Sequence, residues 1–420
     1  MKEKTIRIDY IARVEGQGAL DVRISREGRV EELKLRIYEP PRFFEAFLVG
    51  RKYDEVMELT SRICGICPIA HQIAALQAVE AALGVEVSQQ TRDLRRLLAM
   101  GGIIQSHVLN LYFLALPDLM GYESVIAMAK DHPEVVKRGV RLKKVGDDLA
   151  ELIGGRTVHP VTAVVKGFTS LPKKAGLDAM KARMKEAKKD ALETLELFSK
   201  LDIPRFVRRC EHIAVSHPEE YGIYDGRLAS TEGLDISADE YRDYIFEKQV
   251  PYSTAKHSWV KGRNSFLVGP LARVNINFDK LSQSTQDALD RIGFKKPSYN
   301  PFMSLVARAA ELIHYMDEGV EIIERLPLKE EDLSVEVRAG EGAAVTEAPR
   351  GTLYHRYKID RRGVVEEADI VPPTAHNAKN IEKDLWEYIP TLKGLPLEEV
   401  TLRCEMLIRA YDPCISCSVH

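Results

Sequence analysis

Three absences bound this chain before any motif is read. Neither sign of charge dominates: 60 Lys and Arg face 63 Asp and Glu, a formal net charge of −3. Without a basic excess there is no electrostatic case for a nucleic acid or an anionic membrane as partner. The N-terminus, Met-Lys-Glu-Lys-Thr-Ile-Arg-Ile-Asp-Tyr10, lacks the apolar stretch of a signal peptide. The most apolar run, Leu97 to Leu116, is interrupted by Gly101-Gly102, Gln105, Ser106, His107 and Asn110. It is therefore expected as a buried helix and not as a membrane span. Cysteine is scarce, six in 420 residues, which excludes a disulfide framework and leaves metal binding or redox chemistry. No repeat, low-complexity tract or linker divides the chain, so residues 1–420 read as a single domain.

What is present is an ordinary soluble mixture, 45% apolar and 29% charged, able to bury a large core. Residues 4–38 alternate apolar and polar side chains around Ser25-Arg-Glu-Gly28, the pattern of a hairpin or small antiparallel sheet. Helical periodicity then takes over. Leu177, Met180, Met184, Ala187, Ala191, Leu195 and Phe198 predict a helix over 171–201, with Pro172 in its first turn. A second helix follows Asn300-Pro301 with Leu305, Ala309, Leu312, Met316 and Ile323 on one face, and Pro327 stops it. A third, over 397–410, leads into the C-terminal cysteines. Glycines and β-formers over 330–371 predict a second small sheet. The expected class is α+β, mainly α: a central helical bundle with small peripheral β-sheets.

The chemistry lies in two Cys-x-x-Cys pairs at opposite ends of the chain. Cys64 and Cys67 stand in Arg62-Ile-Cys-Gly-Ile-Cys-Pro68, and Cys414 and Cys417 in Asp412-Pro-Cys-Ile-Ser-Cys-Ser-Val-His420. Four thiolates suit zinc, nickel, copper(I) or iron–sulfur chemistry. A structural zinc site usually spaces its pairs about 15–20 residues apart, and here nearly the whole chain intervenes. A thioredoxin-like exchange site lacks its βαβ flanks. Spacing alone leaves zinc and redox metals both open.

The flanks narrow this. Arg62-x-Cys-Gly-x-Cys-Pro-x-x-His71 together with Asp412-Pro-Cys-x-x-Cys-x-x-His420 resembles the two nickel-binding signatures of the large subunit of NiFe hydrogenases. Arg13-Val-Glu-Gly16, Arg42-Phe-Phe-Glu45, Gly155-Arg-x-x-His-Pro160, Gly269-Pro-Leu-Ala-Arg273, Glu347-Ala-Pro-Arg-Gly351 and Val371-Pro-Pro-Thr374 match in the same order, so the resemblance covers essentially the whole chain. It is similar to the cytoplasmic, bidirectional branch, which includes archaeal sulfhydrogenases. The complex I subunit that shares the fold lacks these nickel cysteines, and a structural zinc protein without turnover is the remaining alternative.

The resemblance implies reversible, heterolytic splitting of H2 at a centre of nickel and an iron that carries CO and two cyanides. Cys64 and Cys414 would be terminal nickel ligands, Cys67 and Cys417 bridges to the iron, and Glu15 would take the proton that leaves Cys414. Arg350 would sit over the iron and one cyanide, Thr374 would donate to the other, and Asp412 would orient Arg350. His71, four residues after Cys67, would bond a bridging sulfur. A Mg²⁺ or Fe²⁺ would be held by Glu45, the carbonyl of Ile370 and His420. Taken alone, Glu15 reads as a solvated or capping carboxylate, Arg350 as a surface arginine and His71 as a core histidine. The family's precursors are cleaved after the terminal histidine, so a chain ending at His420 is expected to be mature.

Two departures stand out. Gln17 replaces the histidine that usually follows the glutamate motif, so the outer proton path is expected to differ. Ser106 replaces an acid before the histidine matching His107, so the cluster near Arg350 is expected to be one carboxylate poorer. Cys210 and Cys404 have no motif partners, and Cys404 shares a helical face with Val400 and Leu407. With no cysteines left for clusters, an iron–sulfur small subunit is the expected partner, along with flavin or further iron–sulfur subunits, and H2 and protons as substrates. A cytoplasmic location is expected from the branch. Trp259 and the cations Lys256, Lys261 and Arg263 find no role.

Overall fold

The computed structural model describes residues 4–419. Alternation at the start of the chain folds as expected into a three-stranded antiparallel sheet, Lys4–Ile8, Gly18–Ile24 and Val30–Ile37, with Ile6, Leu20, Val22 and Leu35 turned inward. Ser25 closes its tight turn, its hydroxyl accepting from the N–H groups of Glu27 and Arg29.

Behind this sheet stands the helical core. Helix Gln89–Val108 continues through a π-helical stretch, Leu109–Ala115, and ends at Leu116–Leu119. Its most apolar window is 78% buried, so the run that could span a membrane by length is a core element here. It packs against helix Pro133–Gly154, while helices Lys174–Lys200 and Ser304–Arg325 lie side by side. The seven residues that predicted the third of these all face the core. Pro172 falls outside that helix, because Lys173 is still extended and the first helical residue is Lys174. The proline belongs to the lead-in and not to the first turn.

The second sheet is antiparallel, Gly340–Ala348, Gly351–Ile359 and Val365–Val371. It starts ten residues later than the composition suggested. Residues 330–339 are spent on caps instead: Glu331 accepts from Thr91 at 2.7 Å and also meets Ser88, at the start of the long core helix. Gly342 lies on helix Pro68–Leu83, where a Cβ would collide with the backbone of Ala78 and Ala82. That close approach carries the Pro349-Arg350 turn toward the cysteines.

A third β region between 211 and 267, one four-stranded sheet and one hairpin, has no clear signature in the sequence. The hairpin, Ile245–Gln249 with Lys256–Val260, accounts for Trp259, which stacks on Phe246 with ring centroids 5.9 Å apart. Arg263 and Lys256 are paired locally with Glu211 and Glu247.

One buried ion cluster joins the layers. Arg273 donates to both carboxylate oxygens of Glu311 at 2.6 and 2.7 Å, and to Glu347 at 2.9 Å. Burial opposes the charge on Glu311, but Arg273 and His107 outweigh it and hold this carboxyl far below the usual range. Breaking such a pair strands the remaining charge without water. Glu311→Ala is expected to lower stability by roughly 3–5 kcal/mol, read from the denaturation midpoint; an unchanged midpoint would show that the cluster does not hold the layers together.

Candidate metal centre

The first cysteine pair sits where the chain turns into helix Pro68–Leu83, with Cys67 as its N-cap and Pro68 at its first position. There the amide N–H groups of Ile66 and Cys67 both point at Cys64 Sγ, each 3.3 Å away. Such a nest of donors favours the thiolate. A hydrogen bond from the Cys67 thiol pulls Cys64 below its ordinary pKa against the effect of burial, with help from Arg350. The same bond and burial push the Cys67 thiol well up.

The second pair follows helix Leu397–Tyr411. All four cysteines are buried, and their sulfurs lie within 4.8 Å of one another, with Cys64 to Cys414 and Cys67 to Cys417 both at 3.4 Å. Residues from opposite ends of the chain are thus face to face. Cys414 and Cys417 are joined as a disulfide in this structure, and holding a metal with all four requires both as thiolates. A buried cage of four sulfurs is a soft donor set that fits nickel. A narrow apolar cavity opens behind Cys67, lined by Ile69, Ala70, Ile73 and Ile103.

Glu15 is bound to the second pair twice. Its backbone carbonyl accepts from Ile415 N–H at 2.9 Å, and its Oε2 accepts from Ser416 N–H at 3.0 Å and lies 3.1 Å from Cys414 Sγ, within reach of a thiol proton there. It is half-buried, with a ligand sulfur on one side and the surface on the other, so the solvated reading of Glu15 fails. Gly16 makes the approach feasible: its φ is +86°, and a Cβ there would sit 2.7 Å from Ile415 Cβ. Beyond it, the Gln17 N–H donates to Glu39 at 3.2 Å.

Arg350 is buried in the turn between two strands of the second sheet. Its Nε donates to the Asp412 carbonyl at 2.8 Å, and its Nη2 reaches the Asp412 carboxylate at 3.2 Å. Nη1 finds no partner among the described residues, which suits a donor kept for a bound group. The surface reading of Arg350 is therefore wrong, and its pairing with Asp412 is as expected. Thr374 Oγ1 accepts from the Cys414 N–H at 2.8 Å, which leaves its own hydrogen to donate.

His71 is buried one turn into its helix. The ring bond seen here runs from Nδ1 to His355 Nε2 at 3.2 Å, and His355 Nδ1 meets the Tyr357 hydroxyl. For the C-terminal cation site, Glu45 Oε1 accepts from the Ile370 N–H at 2.8 Å, so two of the three expected ligands adjoin. His420 lies outside the described residues. Cys210 and Cys404 are buried singly, and burial pushes both thiols up to about 12. A second group, His217, Glu220 and Asp225, also converges. Arg96 and Arg92 neutralise its carboxylates, which makes it a poor cation site.

Near Ser106 the histidine, His107, is paired with Glu311 at 2.6 Å and kept neutral by burial, which pulls it down to about 4. Asp412 is the carboxylate at Arg350, and on its other side stands Arg308, which sequence reasoning missed. Its only signal was a charge three residues after Leu305 and four before Leu312, on a face that also carries Glu311.

This geometry agrees with what the chain is similar to. A family description, nickel-dependent hydrogenase, matches residues 42–138 and 206–420. Sulfhydrogenase 1 subunit alpha of Pyrococcus furiosus is 38% identical over 99% of this chain and 97% of its own. Sulfhydrogenase 2 subunit alpha of the same organism is 35% identical over 99% and 98%. Among solved structures, an NAD+-reducing NiFe hydrogenase in its H2-reduced state superposes with a TM-score of 0.91 at 27% identity, covering 99% of both chains. The chain belongs to the nickel-dependent hydrogenase family. It is an oxidoreductase acting on H2, built as the catalytic subunit, and the zinc and complex I alternatives fall away.

Because Gly16 has no room for a side chain, Gly16→Ala should push the Cys414 segment outward. A loss of about 1–3 kcal/mol in stability is expected, with less nickel retained per chain by elemental analysis. Full nickel content with unchanged stability would mean that this contact does not set the site.

Proposed function

We propose that this chain splits H2 heterolytically and reversibly at a nickel–iron centre held by Cys64, Cys67, Cys414 and Cys417. The observation that carries the reading is a carboxylate 3.1 Å from one sulfur of a buried four-sulfur cluster. When bound, the centre, with iron carrying CO and two cyanides, supplies the electron-accepting and Lewis-acid chemistry that polarises H2. Cys64, Cys67, Cys414 and Cys417 would hold it through their thiolates.

The residues around it divide the remaining work. As a thiolate, Cys414 Sγ would take the proton and pass it to Glu15 Oε2, which stands 3.1 Å away. Arg350 holds a permanent positive charge at the centre, with Nη1 free to donate to a cyanide, and Asp412 fixes its plane. Thr374 donates to the second cyanide, and His71 supports a bridging sulfur through its place on the cysteine helix. Glu45, the Ile370 carbonyl and His420 hold a Mg²⁺ or Fe²⁺ beneath the C-terminus. The apolar cavity beside Cys67 suits an uncharged gas.

Electrons leave through a partner. Neither remaining cysteine has a second cysteine beside it to start a cluster, so an iron–sulfur small subunit receives them and passes them to further flavin or iron–sulfur subunits. The alpha-subunit names of the relatives support such an assembly. Residues 1–420 are read as one domain, and the likeness to sulfhydrogenase alpha subunits supports a cytoplasmic location.

Glu15→Gln tests the proton route, because it keeps the shape and removes the base. Nickel and iron are expected to stay in place while H/D exchange slows roughly 100-fold. An exchange rate equal to that of the parent enzyme would remove Glu15 from the route.

A further inference from the structure

Helix Leu397–Tyr411 ends two residues before Cys414, and its end is unusual. Its C-cap, Asp412, has φ 59° and ψ 58°, the left-handed region that an aspartate enters at a cost. The last carbonyls of a helix have no partner within it. Here each is taken by a side chain from a distant segment. Asn110 Nδ2 donates to the Arg409 carbonyl at 3.0 Å, and Arg350 Nε to that of Asp412 at 2.8 Å. The two between them fall to one residue: Arg308 Nη1 reaches the Ala410 carbonyl at 2.8 Å, and Nη2 the Tyr411 carbonyl at 3.2 Å.

Arg308 does more than cap. Its Nη2 also lies 3.8 Å from Asp412 Oδ2, so the carboxylate that orients Arg350 is held between two guanidinium groups, one on each side. Arg308 is fully buried in helix Ser304–Arg325 and has no access to solvent. Burial lowers its pKa to about 10, which still leaves it charged at neutral pH. Two carbonyls on consecutive residues match the two terminal nitrogens of a planar fork, with the Asp412 carboxylate 3.8 Å away as an ion partner, and a single ammonium cannot reproduce that arrangement.

We propose that Arg308 is a positioning residue for the hydrogen reaction: it locks the 410–412 turn, and with it the aim of Cys414 and of the Asp412–Arg350 pair. This rests on the role given to Arg350 above. A helix cap alone would need only a cation at the helix end, and lysine would serve. The proposed role needs the fork.

The test uses the holoenzyme with its small subunit, in four forms: parent, Arg308→Lys, Arg350→Lys and the double variant. Nickel content, thermal stability, H/D exchange of the gas and amide exchange of the 412–418 segment are measured on each. Arg308→Lys is expected to keep its nickel and its melting temperature. Its gas exchange should fall about tenfold and its segment amides should exchange about tenfold faster. On the Arg350→Lys background the same change should cost almost nothing more, because both act through one turn. A parental rate in Arg308→Lys, losses that multiply in full in the double variant, or loss of nickel or stability would each overturn the inference and leave a structural cap. An Arg350→Lys enzyme as fast as the parent would instead unseat the role of Arg350, and this inference with it.

Discussion

The structure depends on how the last nine residues are fastened. A helix that ends in a left-handed aspartate would unwind if its carbonyls faced no donors. Arg308 and Arg350 supply those donors at Ala410, Tyr411 and Asp412, with Asn110 at Arg409. From the other side the N-terminal segment closes over the same region. Arg409 donates to the Ala12 carbonyl at 2.9 Å and pairs with Asp118 at 2.6 Å, and Asp118 also binds Arg13. Glu15 then lies along Cys414 as one rung of a parallel bridge. These contacts hold the second cysteine pair against the first, so the finished fold closes the site.

Charge follows the same plan. Sulfur ligands that ionise away from water need positive neighbours, since an unpaired buried charge is costly. Arg350 meets that need beside Cys64 and Cys67, and is itself balanced by Asp412. Arg273, with Glu311 and Glu347, forms a separate buried cluster, where His107 stays uncharged. Glu15 is the half-buried exception, placed between a ligand sulfur and the surface. That position suits a group that exchanges protons more than one that only balances charge.

What could be read from the sequence follows from how local each signal is. Helical faces such as Leu177 to Phe198 and Leu305 to Ile323 repeat every three or four residues and were legible to within a few residues at their ends. The four cysteines, Glu15, Arg350, Asp412 and Thr374 were legible because each sits in a short motif, and the fold does bring them together. Arg308, Asn110, Arg409 and Asp118 were not. Their roles arise from contacts between segments about 100 to 300 positions apart, and nothing beside them in the chain marks the partner. The short strands between 211 and 267 escaped for a related reason, since several are too brief to show alternation. Pro172 and the stretch 330–339 misled because proline and β-forming residues also serve extended lead-ins and caps.

In the proposed function, four buried sulfurs hold nickel together with an iron that carries CO and cyanide. Metal analysis of the purified holoprotein with its partner subunit, combined with its infrared spectrum, tests this most directly. Nickel and iron are expected in equal amounts at this site, with absorption bands from metal-bound CO and two cyanides. Zinc in place of nickel, with none of those bands, would contradict it.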